Sequence, residues 1–309
     1  LMKSAFPSRL CNNKRIFYCY ASHVLSPLNG GRKESRTKVR GLLNLPSQIN
    51  TQANNFTKYD VEALRVKFQP ATEDHVIPDE KVEEFSEQFI CRKINRNMLK
   101  DDEFNVDNIS DVSDSLFQTF FEKLAIVTQN PPGIPESSTD TMVDDLLRIA
   151  KLNNHPLKLT IHPPSKLHIL NEPYVSATPE FVVNKRKISM VITEDKTLQN
   201  INHRNGYGEM QIAAEILSCG DENMRKFKKD TDQVLFAVRF ISTYATFYKA
   251  QIPAEYWEEL IKGLPKVNSV EIKRWPGEND DKSGLDLADP DGRKAVLTAL
   301  IKIRQFLLK

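Results

Sequence analysis

From residue 116 onward the apolar positions of the chain switch between two periods. Leu116, Phe120 and Leu124, flanked by Phe117, Phe121 and Ile126, fall at helical spacing, and Asn130-Pro131-Pro132-Gly133 breaks the run. Ser137 to Leu152 repeats the pattern, with Met142, Val143, Leu146, Leu147, Ile149 and Ala150 forming one wide apolar face behind Ser138 or Thr139 as cap. Strand-like runs follow at Leu157 to Ile161 and Lys166 to Leu170, separated by His162-Pro163-Pro164-Ser165. A second pair, Ala177 to Val183 and Ile188 to Lys196, flanks Asn184-Lys185-Arg186-Lys187.

The period then returns to helical from about Tyr207 to Cys219, through Met210, Ala213, Ala214 and Leu217, with Gly220 as the expected stop. Val234, Phe236, Val238 and Phe240 alternate as a strand, and Thr243 to Ala250 reads as its partner. A helix near Glu255, a short strand at Val270 to Arg274 and a long helix opened by Asp289-Pro290 complete the order. Helix, strands, helix and strand in this sequence predict a mixed α/β sandwich without internal repeats.

Charge divides the chain before residue 113. Through residue 50 nine basic residues stand against Glu34 alone, with little apolar periodicity before Leu42, so residues 1–70 read as a basic, disordered arm. Such an arm suits a mitochondrial transit peptide, a nuclear-import segment, a loose nucleic-acid clamp or a tail with no address. Residues 71–112 are acidic, from Asp79 and Glu80 to Asp111, and read as helical faces and a linker. The compact domain is expected at residues 113–309.

Composition narrows the possible chemistry. Cys11, Cys19, Cys91 and Cys219 are scattered without a Cys-x-x-Cys pair, which argues against structural zinc and for a reducing compartment, nucleus or cytoplasm. No apolar run approaches the roughly 20 residues of a membrane span. The serines lack a Gly-x-Ser-x-Gly elbow, and Gly206-Tyr207-Gly208 is neither a Walker loop nor a dinucleotide fingerprint.

The strongest chemical signal is Pro179-Glu180 followed across one hairpin by Glu194-Asp195-Lys196. Residues two apart on a strand share a face, so Glu194 and Lys196 are expected together, with Glu180 opposite them on the preceding strand. Converging carboxylates are costly to bury unless a divalent cation neutralises them. Glu180, Glu194 and the backbone carbonyl of Asp195 offer the hard oxygens that Mg2+ or Mn2+ prefers. Lys196 would orient a water or stabilise developing charge, Gln211 on the next helix would hold water or phosphate, and Glu136 at the mouth of the first domain helix would add a carboxylate on the metal side. The bland alternative for each is a solvated strand end or a helix-start acid, with Glu215 facing solvent.

Taken together, Glu136-Ser137-Ser138, Pro179-Glu180, Glu194-Asp195-Lys196 and Gln211 resemble the PD-(D/E)XK nuclease superfamily. The tail, with Arg274-Trp275-Pro276, Gly284-Leu285-Asp286-Leu287 and Asp291-Gly292-Arg293, is similar to nuclease-like domains of crinkler-type effectors. The resemblance implies a restriction-endonuclease-like core, a central mixed β-sheet flanked by helices, and metal-dependent hydrolysis of phosphodiester bonds, usually in DNA. It assigns Glu180 and Glu194 to the two acidic positions, Lys196 to the lysine and Gln211 to a helix position used by some branches. Glu180 stands where Asp is commonest. Pairing of two copies to cut both strands fits the family, and so does a catalytically inactive relative that binds nucleic acid or a protein partner.

Overall fold

The computed structural model of the chain describes residues 49–309 except 83–85, 130–136, 196–202, 228–230 and 281–282; for residues 188–189, 192–195 and 203–205 it describes the backbone alone. The fold is α/β: a large mixed sheet with helices on both faces. Ten strands are described: β1 (Val66–Pro70), β2 (Lys158–Ile161), β3 (Ser165–Ile169), β4 (Glu172–Ala177), β5 (Phe181–Lys185), β6 (Lys187–Asp195), β7 (Gln233–Ile241), β8 (Tyr244–Ile252), β9 (Val270–Trp275) and β10 (Leu285–Asp286). The longer helices are α1 (Ser115–Gln129), α2 (Ser137–Ile149), α3 (Glu209–Phe227), α4 (Ala254–Lys262) and α5 (Pro290–Leu308).

Eight strands form the main sheet in the order β1-β9-β8-β7-β6-β5-β2, with β10 added along β8. Neighbours are antiparallel except β1 with β9 and β6 with β7. The β6–β7 pair is parallel because α3 carries the chain back between them, as a parallel pair requires. Strand alternation splits the core. Phe181, Val183, Met190, Phe236, Val238 and Phe240 face α1, α2 and α5. Val182, Val191, Leu235 and Ala237 face α3, α4 and the β3–β4 hairpin. No described helix is long and apolar enough to cross a membrane.

Two expectations change here. Packing does not begin at residue 113: β1 pairs with β9 some two hundred residues later, and Val76, Ile77, Phe89, Ile94, Leu99 and Val106 are buried in the same core as α1 and α2. Residues 49–70, expected as the end of a disordered arm, and the described residues of 71–112, expected as linker, are thus both built into the fold. The apolar residues of the latter sit on one-turn helices such as Glu87–Ile90 and Arg96–Leu99, too short to show a period. The arm before residue 49 lies outside the described residues.

Gly220 does not stop α3, which runs on to Phe227. A Cβ on Gly220 would stand 2.8 Å from the ring of Trp257 and 3.2 Å from Ile252, so the glycine lets α3 approach α4 and β8. Glycine in an exposed helix interior usually costs about 1 kcal/mol relative to alanine. At this position Gly220→Ala is expected to invert that preference and destabilise by roughly 1–3 kcal/mol through overpacking, read as a lower urea midpoint with altered Trp257 fluorescence.

A carboxylate fixes the exit from α4. Glu259 accepts the backbone N–H groups of Lys266, Val267 and Asn268 and the Asn268 amide, the last at 2.6 Å, and this donor nest pulls its pKa down to about 2. A lowered folded-state pKa contributes stability that is complete above the unfolded value and is lost as pH falls through the folded one. The contribution of Glu259 is therefore expected to fade between about pH 4.5 and 2. Glu259→Gln should therefore lower stability most at neutral pH, flatten the acid limb of the stability curve in that window, and differ little from the parent protein at about pH 2.

Candidate functional site

The β5–β6 hairpin carries the two acidic motifs. It turns at Arg186, whose positive φ of 70° fits a tight reversal, one residue between strands where a four-residue turn was expected. Phe181 at the start of β5 pairs with Ile192, so Glu180, one residue earlier, comes beside the last residues of β6, Thr193 to Asp195. The backbone carbonyl of Glu180 also accepts the N–H of His162 at 2.9 Å, which holds the start of β5 against the end of β2. Pairing on the other side of β6 sets Glu194 opposite Phe240 and Asp195 opposite Ile241. These positions are the carboxyl end of the parallel β6–β7 pair, where open α/β sheets place ligands.

Glu180 is half-buried, with its Oε2 shielded from solvent. It borders a cavity of about 400 Å³ lined from α3, α2, β4 and the turn at residues 52–54. Gln211 and Glu215, one turn apart on α3, line the same space, and Gln211 Nε2 donates to Glu215 Oε1 at 2.8 Å. That bond uses one of the two amide hydrogens and leaves the carbonyl oxygen of Gln211 as an acceptor. Asp140, in the first turn of α2, brings a third carboxylate to the rim. Its Oδ1 is buried with no hydrogen-bond partner among the described residues.

Of the six residues expected to form the site, Glu180 and Gln211 are described in full and border one cavity. Glu194 and Asp195 are placed by backbone only. Glu136 and Lys196 lie outside the described residues. Glu215 corrects the solvent-facing expectation: it is only 1% exposed. The reason lies far away in sequence, since the turn Ala53–Asn55 packs on α3 and Gln52, Ala53 and Asn54 wall the cavity. Asp140 was indistinguishable from an acid favoured at any helix start.

A buried polar cluster holds the head of α3 to the sheet. Arg239 on β7, whose register partner is Thr193, donates through Nη1 to the carbonyl of Tyr207 and, at 3.0 Å, to Asn279 Oδ1. Asn279 in turn donates to the Gly206 carbonyl at 3.2 Å. Gly206 and Tyr207 both have positive φ, 58° and 52°, so the turn entering α3 is tied down from two sides. Glu209 pairs with Arg274 at 2.5 Å; burial nonetheless pushes the Glu209 carboxyl above its ordinary value, against the pull of Arg274 and Arg239. The position of Gln211, one residue beyond Met210, is fixed by this anchoring.

The cavity's charged lining suits a hard cation. Asp140, Glu180 and Glu215 give carboxylate oxygens and Gln211 a carbonyl oxygen, with no basic side chain among the described lining residues. The described acids alone do not form a three-ligand group of metal-binding geometry. Glu194 and the Asp195 carbonyl, at the end of β6, are the further oxygens a cation would need. Neither described cysteine lines the cavity: Cys91 and Cys219 are buried elsewhere, and burial pushes the Cys219 thiol up to about 12. No family model matches the chain, and no curated protein matches its sequence.

Proposed function

We propose that the chain is a divalent-metal-dependent nuclease that hydrolyses phosphodiester bonds, with DNA as substrate. The observation that carries this reading is the adjacency of Glu180 to the end of β6, above a cavity whose charged lining is acidic. An acidic pocket repels phosphate unless a cation intervenes, and Mg2+ or Mn2+ bound there would offset phosphate charge and lower the pKa of a water. Glu180, Glu194, the Asp195 carbonyl and Asp140 would hold the cation. Glu136 would add a further carboxylate.

In this reading Lys196, two residues beyond Glu194 in the sequence, steadies the attacking water or the charge that develops on the phosphate. Gln211, with its nitrogen bonded to Glu215, presents its carbonyl oxygen to a water in line with the phosphorus. The similarity of these residues to the PD-(D/E)XK pattern supports the same assignment. Linear and plasmid DNA incubated with the purified chain should be cut with magnesium or manganese and left intact with chelator. DNA bound in a salt-sensitive way without any cleavage would move the chain to the non-catalytic nucleic-acid-binding reading.

A further inference from the structure

The N-terminal end of the described chain reaches the same cavity. Ser176 N–H donates to the Thr51 carbonyl at 2.9 Å and Gln52 bridges to Ser176, so residues 51–55 are strapped along β4. Ala53 is buried beneath the strap, against the α3 side of the core, while the side chains of Gln52 and Asn54 are exposed on either side of it at the cavity. The strap and β4 thereby form one wall of the space beside Glu180. What remains is about 400 Å³. Pockets of roughly 300–1,000 Å³ enclose one small ligand, and a base pair within a duplex is far too large to enter.

The lining matches this size. Beyond the carboxylates, Gln52, Asn54, Ser176 and Thr178 are neutral donors and acceptors. Carboxamides pair with base edges through two hydrogen bonds, whereas a backbone-gripping groove would carry lysine and arginine. Enzymes that act on a base or strand end inside such a pocket first remove it from the stack.

We propose that the cavity admits one unpaired nucleotide, a strand terminus or an extruded residue, whose base is read by Gln52 and Asn54 while its phosphate lies toward Glu180. The proposal rests on the reading of this cavity as the nuclease site, and it names the substrate class: unpaired rather than fully duplex DNA. Because both amides are exposed and the strap is held by backbone bonds, removing them leaves the fold intact.

The test uses the full chain with calcium in place of magnesium, so that binding is read without cleavage. Fluorescence anisotropy of a short labelled single strand should show about tenfold tighter binding than a fully paired hairpin of the same composition, a preference that disappears in the Gln52→Ala/Asn54→Ala protein. Equal binding of the two DNAs, or an unchanged preference in the double variant, overturns the proposal. Exchange of calcium for magnesium in the same samples reads the nuclease assignment separately. Cleavage absent with the preference intact removes the catalytic reading and leaves the nucleotide pocket standing.

Discussion

Replacement of Arg293 by alanine is expected to unfold the protein or cost at least about 3–5 kcal/mol, a large part of the roughly 5–15 kcal/mol that stabilises a domain. Arg293 is wholly buried near the start of α5, and its guanidinium donates to the carbonyls of Phe89, Ile90, Cys91, Ile94, Leu287 and Ala288, over the ring of Phe121 at 5.1 Å. Burial lowers its pKa to about 10, which leaves it cationic at neutral pH. Alanine would strand several buried carbonyls at once and open a void. Lysine keeps the charge with three donors on a point, where arginine offers five in a plane, so Arg293→Lys should recover only part of the loss. Urea midpoints of the three proteins decide the matter; equal midpoints would show that the carbonyl cluster contributes nothing.

The neighbouring residues explain why Asp291-Gly292-Arg293 and Leu285-Asp286-Leu287 stood out as motifs. A Cβ on Gly292 would meet the Asp286 carbonyl oxygen at 2.0 Å, and Asp286 binds the Arg96 guanidinium with both oxygens, at 2.7 and 2.8 Å, and accepts from the Thr243 hydroxyl at 2.7 Å. These residues lock α5 to β10 and to the short helix Arg96–Leu99. They are a fold device, and no cleavage chemistry is required to account for them.

The second large effect concerns the site. Lys196→Ala and Glu194→Ala are each expected to lower kcat/KM for DNA by about 10²–10³-fold, the usual cost of removing one group that stabilises transition-state charge. Their thermal midpoints in chelator should match the parent protein. Glu180→Ala should abolish the rise in midpoint produced by magnesium, because a cation that binds only the folded state stabilises it by mass action. Glu180→Asp is the sharper variant: withdrawing the carboxylate by one methylene should cost about 10²-fold, since a displacement near 1 Å has that consequence at a reacting centre. Cleavage that persists unchanged in the lysine and glutamate variants would remove this site from the reaction. Asp140→Asn, tested beside them, reads whether the α2 carboxylate shares the cation.

Much of the element order was legible because it follows from local periodicity. The helices at 115–129 and 137–149, the β7–β8 hairpin and α5 fall within a few residues of the expected bounds. Errors arose where local signals had nonlocal causes. The run from Ala177 to Val183 was read as one strand, yet the chain leaves β4 at Ala177, passes Thr178 to Glu180 and enters the main sheet at Phe181. Apolar alternation cannot show that two consecutive strands join different sheets. Gly220 read as a helix stop because its true partner, Trp257, lies on another helix.

By itself the sequence determined which residues are apolar on which face of each long helix and strand, and that two acidic motifs flank one hairpin, since both depend only on spacing within a few turns of chain. Tertiary structure alone decided that the described residues of 49–112 belong to the packed fold, that Glu215 is buried and that Asp140, Gln52 and Asn54 meet Glu180 around one cavity. Those relations join segments separated by scores of residues. Their physical cause is the pairing of β1 with β9 and the packing of the N-terminal strap on α3, which no local pattern of hydrophobicity encodes.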